Sequence, residues 1–203
     1  MEREVELLNE TVYLRNEANA NKDLLFVDVV DTYRSLPRKL LEFYKWTLRG
    51  EVPYILKTDD DCYLDVDRIL KNLKMLAKKN LRKVWWSRFR YDWAVEQYGK
   101  WAERHYKSIT YPPFACGSGH VLSQDIVRWL DYNSDDLMMD YQGEDTSLGI
   151  WLAAVNPAVI DDKSWSCDDL CKKGTLSLAN IGPDDLRTLW KNKVTCDNPC
   201  QCS

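Results

Sequence analysis

The chain has 203 residues, 45% hydrophobic and 30% charged, with a formal net charge of −4. That length supports one sizeable domain with a core of its own. The composition is that of an ordinary globular protein, and the acidic balance excludes a nucleic-acid partner drawn in by bulk positive charge.

In chain order, residues 4–20 carry an amphipathic helical pattern with weak caps, and Asn9-Glu10-Thr11 inside it is a possible N-glycosylation acceptor. Leu24-Leu-Phe-Val-Asp-Val-Val30 reads as a buried strand. Ser35 and Pro37 open a helix whose apolar stripe is Leu40, Leu41, Tyr44 and Leu48, and Gly50 ends it. A strand over 54–58 follows, then a helix over about 66–79 with Ile69, Leu73 and Leu76 turned inward, then a strand over 84–90. Strand, helix, strand, helix, strand favours a mostly parallel sheet with helices on its faces.

Between 91 and 115 the pattern breaks into aromatics among polar residues, which reads as a long structured loop or hairpin. Gly117-Ser-Gly119 leads into Val121-Leu122 and a helix capped by Ser123. A further helix starts at Gly143-Glu-Asp-Thr, and another covers 183–191 behind Pro183 and Asp184. Nine Trp and eleven Tyr are many for this length. They fill a core, or they present flat faces to a carbohydrate.

Seven cysteines stand at 62, 116, 167, 171, 196, 200 and 202. The spacings miss the usual Cys-x₂-Cys pairs of zinc sites, and the only histidines are His105 and His120. A disulfide-stapled tail fits better and points to a secretory compartment. The opening Met1-Glu-Arg-Glu is neither a signal peptide nor an apolar span. With that cysteine tail, the expectation is that an N-terminal part lies outside this sequence.

Three segments carry candidate chemistry. Asp59, Asp60 and Asp61 close the strand at 54–58, and three adjacent carboxylates repel one another unless a cation sits among them. A hard divalent cation takes oxygen ligands, and ligands gather at the carboxyl ends of strands in an open α/β sheet. The competing reading is a solvated turn before a helix. Gly117 and Gly119 let backbone approach a ligand, or make a tight turn. Glu144 and Asp145 cap a helix N-terminus, or stay ionised there and accept a proton from a hydroxyl.

Lys57-Thr-Asp-Asp-Asp-Cys-Tyr63, Tyr111-Pro-Pro-Phe-Ala-Cys-Gly-Ser-Gly119 and Gly143-Glu-Asp-Thr-Ser-Leu-Gly149 occur here in this order. Asp31-Thr-Tyr33 with Lys39 and Trp46 precedes them, and Trp165-x-Cys167-x₃-Cys171 follows. Together they resemble the β-1,3-glycosyltransferase family, the family 31 group of inverting transferases, over most of residues 24–202. The resemblance implies a GT-A-type α/β fold, a nucleotide half joined to an acceptor half, with a disulfide-rich C-terminal tail. Residues 1–203 would be a single catalytic domain, with an anchor helix, a stem and a first nucleotide-binding strand ahead of it. The whole would be a type II membrane protein of the Golgi or endoplasmic reticulum, membrane-bound only through that anchor.

The implied partners are a UDP-sugar donor and a glycan or glycoprotein acceptor. The implied reaction moves N-acetylgalactosamine, galactose or N-acetylglucosamine to an acceptor 3-hydroxyl in β linkage, in protein O-linked glycosylation. The implied cofactor is Mn²⁺, held by Asp61 and Asp59. Asp145 would be the general base with Glu144 supporting it. Lys57, Asp60, Gly117, Ser118 and Gly119 would bind the donor, and Trp86 and Trp93 would face the acceptor. Many members place a metal-binding His 20–30 residues after the base; no His follows His120 here, so Asp168, Asp169 or water is the expected substitute. A Cys62–Cys116 disulfide is implied, leaving two bridges and one spare cysteine in the tail. The alternative is a catalytically impaired, sugar-binding relative.

Overall fold

The computed structural model describes residues 2–137 and 141–202. They fall into two units, one through Val30 and one from Asp31 onward. The first unit is helix α1, Glu2–Asn21, followed by an irregular segment. That segment holds the expected strand at 24–30, and no strand forms. Phe26 is 59% exposed, Leu24 and Leu25 lie open as well, and no strand among the described residues pairs with the run. Apolar, β-prone sequence does not make a strand without a neighbour to satisfy its backbone.

The second unit opens with a 3-10 turn at Tyr33–Ser35 and helix α2, Leu36–Thr47. Strand β1 is Tyr54–Lys57, β2 is Tyr63–Leu64 and helix α3 is Val66–Ala77. Strands β3, Val84–Ser87, and β4, Phe89–Arg90, divide the expected strand at 84–90. After the hairpin come β5, Phe114–Ala115, β6, His120–Ser123, and helix α4, Gln124–Tyr132. Helix α5, Glu144–Ala153, β7, Ala158–Asp161, β8, Ser177–Leu178, and helix α6, Pro183–Cys196, complete it.

The central sheet has the order β1-β6-β3-β7. Strands β1 and β3 each pair antiparallel with β6, while β3 and β7 are parallel. Three strands therefore run one way, with β6 reversed between two of them, and the sheet is mixed. The sequence pattern showed the βαβ rhythm but not the reversed strand, because β6 is only four residues long.

Both faces are covered, so β3 is buried at every position. Trp85 joins Leu40 and Leu41 of α2, Ile126 and Leu130 of α4, and Leu148 and Leu152 of α5 on one side. Val84 and Trp86 join Ile69 of α3, Trp165 and Leu176 on the other. Successive residues point to opposite faces, and this removes Trp86 from the expected acceptor surface. It is 3% exposed, meets Trp165 edge to face, and donates its indole N–H to Asp162.

Ser123 takes the N-cap position of α4, but its hydroxyl is turned toward the sheet. It accepts from the Val84 amide at 2.8 Å. The 91–115 segment is a hairpin, with the Val95 amide donating to Ile109 and the Tyr111 amide to Trp93, each at 2.9 Å.

The tail is stapled, with one correction to the pairing. The bridges are Cys116–Cys167, Cys171–Cys200 and Cys196–Cys202, and Cys62 is free. Two bridges do lie within the tail, but no tail cysteine is left over: Cys167, not Cys62, reaches Cys116, and Cys62 is the unpaired one.

Candidate active site

The carboxyl end of β1 carries Lys57 and releases the chain into Asp59–Asp61. This run is anchored from below, since the Ile181 amide donates to the Asp61 carbonyl at 2.8 Å. The turn between β5 and β6 approaches it closely. At Gly119, φ is +130°, and an added Cβ would lie 2.9 Å from the Lys57 carbonyl oxygen, so only glycine fits. A Cβ on Gly117 would lie 3.1 Å from Asp145 Oδ2 and 3.6 Å from Asp59 Oδ2. Gly117 thus stands between the two carboxylates, and its missing side chain leaves room there.

Asp145 reaches this point from the first turn of α5, which Gly143 enters at φ +92°. Asp59, Asp145 and Gly117 all line one cleft of about 880 Å³. Asp60, Asp61, Ser118 and Glu144 line it too, as does Trp93, over whose ring the Arg90 guanidinium sits at 4.2 Å. Gly119 and Lys57 lie behind this lining. The cleft brings together residues of all three segments that carry candidate chemistry.

Lys57 is nearly enclosed, its side chain 11% exposed, with the ammonium 2.6 Å from Asp59 Oδ1 and 3.1 Å from Glu144 Oε1. Burial alone would lower its pKa, yet the charges of Asp145, Glu144 and Asp59 hold it well above the ordinary lysine value. Asp145 behaves in the opposite way. Its side chain is partly open to the cleft and otherwise enclosed, and Oδ1 is buried without a hydrogen-bond partner. Burial pushes its carboxyl up to about 7; Lys57 pulls it down, Glu144 and Asp59 push it up, and Arg90 pulls it down. Burial also raises Asp59, against the pull of Lys57.

Beneath this group the Tyr44 hydroxyl lies 2.6 Å from His120 Nε2, with both residues buried. Burial, reinforced by the Lys57 charge, lowers His120 to about 3. The unfolded chain therefore takes up this proton first as pH falls. The stability contributed by neutral His120 is complete above its ordinary value of about 6.5 and is lost as pH drops from there toward 3. We expect His120 to contribute a slope of about 1.4 kcal/mol per pH unit in that window. Urea unfolding at pH 7 and pH 5 checks it, and His120→Gln, which does not titrate, should remove that part of the slope.

The residues fit a hard divalent cation. Asp59, Asp61 and Cys62 each offer a ligand atom, all within 4.8 Å of one another, and two carboxylates at a cleft suit Mn²⁺ or Mg²⁺. Neither expected histidine substitute is among the residues lining the cleft. Asp168 is instead engaged locally, accepting from the Ser166 hydroxyl at 2.6 Å and the Leu170 amide at 3.0 Å. Asn180 does line the cleft, next in the chain to Ile181, whose amide holds the Asp61 carbonyl, and its φ of +58° places it in a left-handed turn. Asn before Ile-Gly-Pro was the available signal, a turn residue ahead of a helix start. Trp101 and Tyr33 also line the cleft unforeseen; their rings meet edge to face at 5.5 Å, with the Lys100 ammonium 4.6 Å and 4.3 Å from them.

An acidic turn, a glycine-lined gap and an enclosed carboxylate at a helix start thus stand together in one cleft of the mixed-sheet unit. The Galactosyltransferase family model matches residues 8–163, and the chain belongs to that family. The UDP-GalNAc:beta-1,3-N-acetylgalactosaminyltransferase 2 of Xenopus laevis is 47% identical over 199 residues, 97% of this chain and 40% of that protein. The protein of the same name from Homo sapiens is 47% identical over 199 residues, 97% of this chain and 39% of that protein. Beta-1,3-galactosyltransferase 6 of Mus musculus is 34% identical over 146 residues, 70% of this chain and 45% of that protein. The chain spans about two fifths of the length of the first two relatives.

Proposed function

We propose that this chain is the catalytic portion of an inverting, divalent-cation-dependent β-1,3-glycosyltransferase that takes its sugar from a UDP donor. The observation that carries this reading is the placement of Asp59 and Asp145 on either side of Gly117. Asp59 and Asp61 would hold the cation, Mn²⁺ being the favoured one. When bound, the cation supplies the positive charge that stabilises the departing diphosphate. Gly117 and Ser118 offer backbone that a donor sugar can approach closely. Asp145 accepts the acceptor hydroxyl proton at Oδ2, the oxygen facing Gly117, as that hydroxyl attacks the anomeric carbon. Attack on the face opposite the diphosphate turns an α-linked donor into a β-linked product.

Only ionised Asp145 can take the proton, so turnover should rise as pH climbs through about 7. Trp93 and Trp101 provide aromatic faces in the same cleft for an acceptor sugar ring. N-acetylgalactosamine is the proposed donor sugar, since the relatives at 47% identity carry it in their names. A glycan on a protein is the proposed acceptor. Three disulfides support an oxidising, lumenal compartment.

The test is a mass spectrum of products from the full-length protein. UDP-GalNAc, UDP-Gal and UDP-GlcNAc are offered in turn with a GlcNAc-terminated acceptor and Mn²⁺. One added N-acetylhexosamine from UDP-GalNAc, lost with EDTA, is expected. Sugar binding with no product from any donor would establish the sugar-binding alternative instead.

A further inference from the structure

We propose that Lys57 is the positioning residue of this site: one ammonium ties the metal-binding acids at the end of β1 to the helix start that carries the base. This rests on the transferase reading and gives Lys57 a role other than donor binding.

The geometry is specific. Asp59 and Glu144 belong to separate elements, and the Lys57 ammonium hydrogen-bonds to both. Glu144 is the residue before Asp145, so this bond fixes the first turn of α5 relative to the Asp run. A lysine suits the task because it combines several donors with a full charge on a long stem. The floor below supplies no replacement. His120 is the cross-strand partner of Lys57 in the β1–β6 ladder, and it is neutral and bonded to the Tyr44 phenol.

The charges bearing on Asp145 are Lys57 from β1, Glu144 beside it on α5, Asp59 beyond Gly117, and Arg90 from β4; Tyr44 from α2 is a neutral phenol. Removing Lys57 leaves three carboxylates with Arg90 as the one cation among these groups. The base then holds its proton to higher pH.

On the metal side the effect has the opposite sign. The Lys57 ammonium occupies Asp59 Oδ1, so it competes with a cation for that oxygen. A residue that merely supported the fold would weaken both functions when removed. A positioning cation shared between two acids should weaken base chemistry and strengthen metal binding.

The experiment uses the full-length protein with Lys57→Met and Lys57→Arg. Mn²⁺ affinity is read without donor, from the electron paramagnetic resonance signal of free Mn²⁺, and turnover is read from pH 6 to pH 9. For Lys57→Met we expect Mn²⁺ to bind several-fold more tightly. Turnover at pH 7 should fall about tenfold or more, with the acid limb displaced upward by about one pH unit. Lys57→Arg, which keeps the charge, should restore part of each; Lys57→Gln, which loses the charge but stays polar, carries the test if Lys57→Met fails to fold.

Weaker or unchanged Mn²⁺ binding in the variant that loses the charge overturns the proposal. So does lost turnover with the acid limb unmoved. The Mn²⁺ titration needs no turnover, so a protein that transfers no sugar would refute the transferase reading while this arm still decides whether Lys57 competes for Asp59.

Discussion

Asp145→Asn should abolish transfer while leaving UDP and metal binding largely intact. An amide cannot accept the acceptor proton, and a positioned general base contributes about 10²–10⁴ in rate. The substitution keeps the size of the side chain, and Lys57 keeps its ion pairs with Asp59 and Glu144. The fold should therefore persist, and it should gain stability in a particular pH range. Asp145 has a folded-state pKa raised to about 7 from 3.8, so ionising it opposes folding. That opposition is absent below about pH 4, grows between 4 and 7, and is complete above 7. The Asn variant should thus have a higher Tm than the parent at pH 8 and a matching Tm at pH 4. Stopped turnover together with that pH-dependent gain identifies the base and its enclosure in one protein. If turnover stays near normal, the base is elsewhere, and Glu144 becomes the candidate despite its bond to Lys57.

Asp61→Asn should damage the other half of the site. Its carboxylate faces the cleft, and its Oδ1 accepts from the Cys62 thiol at 3.5 Å, a weak contact with little to lose. Its structural duty is carried by the backbone carbonyl, which accepts from Ile181 and survives the substitution. Loss of one full charge from a cation site should lower the affinity for UDP with Mn²⁺ by about tenfold or more. Isothermal titration with and without Mn²⁺ checks this. Unchanged affinity in both conditions would remove Asp61 from the metal site. The two substitutions should therefore separate cleanly, one losing rate with binding kept and the other losing binding.

The segments that line the candidate site were legible in the sequence because they are short and chemically dense. Asp59–Asp61, Gly117–Gly119 and Gly143–Asp145 each combine a turn with its chemistry, and the sheet brings the three ends together. What stayed hidden depends on distant neighbours. Leu24–Val30 has the composition of a strand, but strand formation needs a partner that the run itself cannot specify. Trp86 and Trp93 look alike as aromatic residues near the site, and only the alternation of β3 sends one into the core while the hairpin leaves the other in the cleft. Cys116 could pair with any cysteine brought near it, and Cys167 arrives through the loop after β7. Asn180 has no motif, only a turn residue ahead of Gly182 and Pro183. Lys57 drew notice for its place in a motif, but its partner Glu144 is 87 positions away.

The most direct test of the proposed site is the configuration of the new bond. Full-length protein is supplied with UDP-GalNAc, Mn²⁺ and a GlcNAc-terminated acceptor, and the anomeric proton of the product is read by NMR. With Asp145 as base opposite the departing diphosphate, the transferred sugar should be β-linked to the acceptor 3-hydroxyl. An α-linked product, or free sugar released with no glycoside formed, would contradict the site described here.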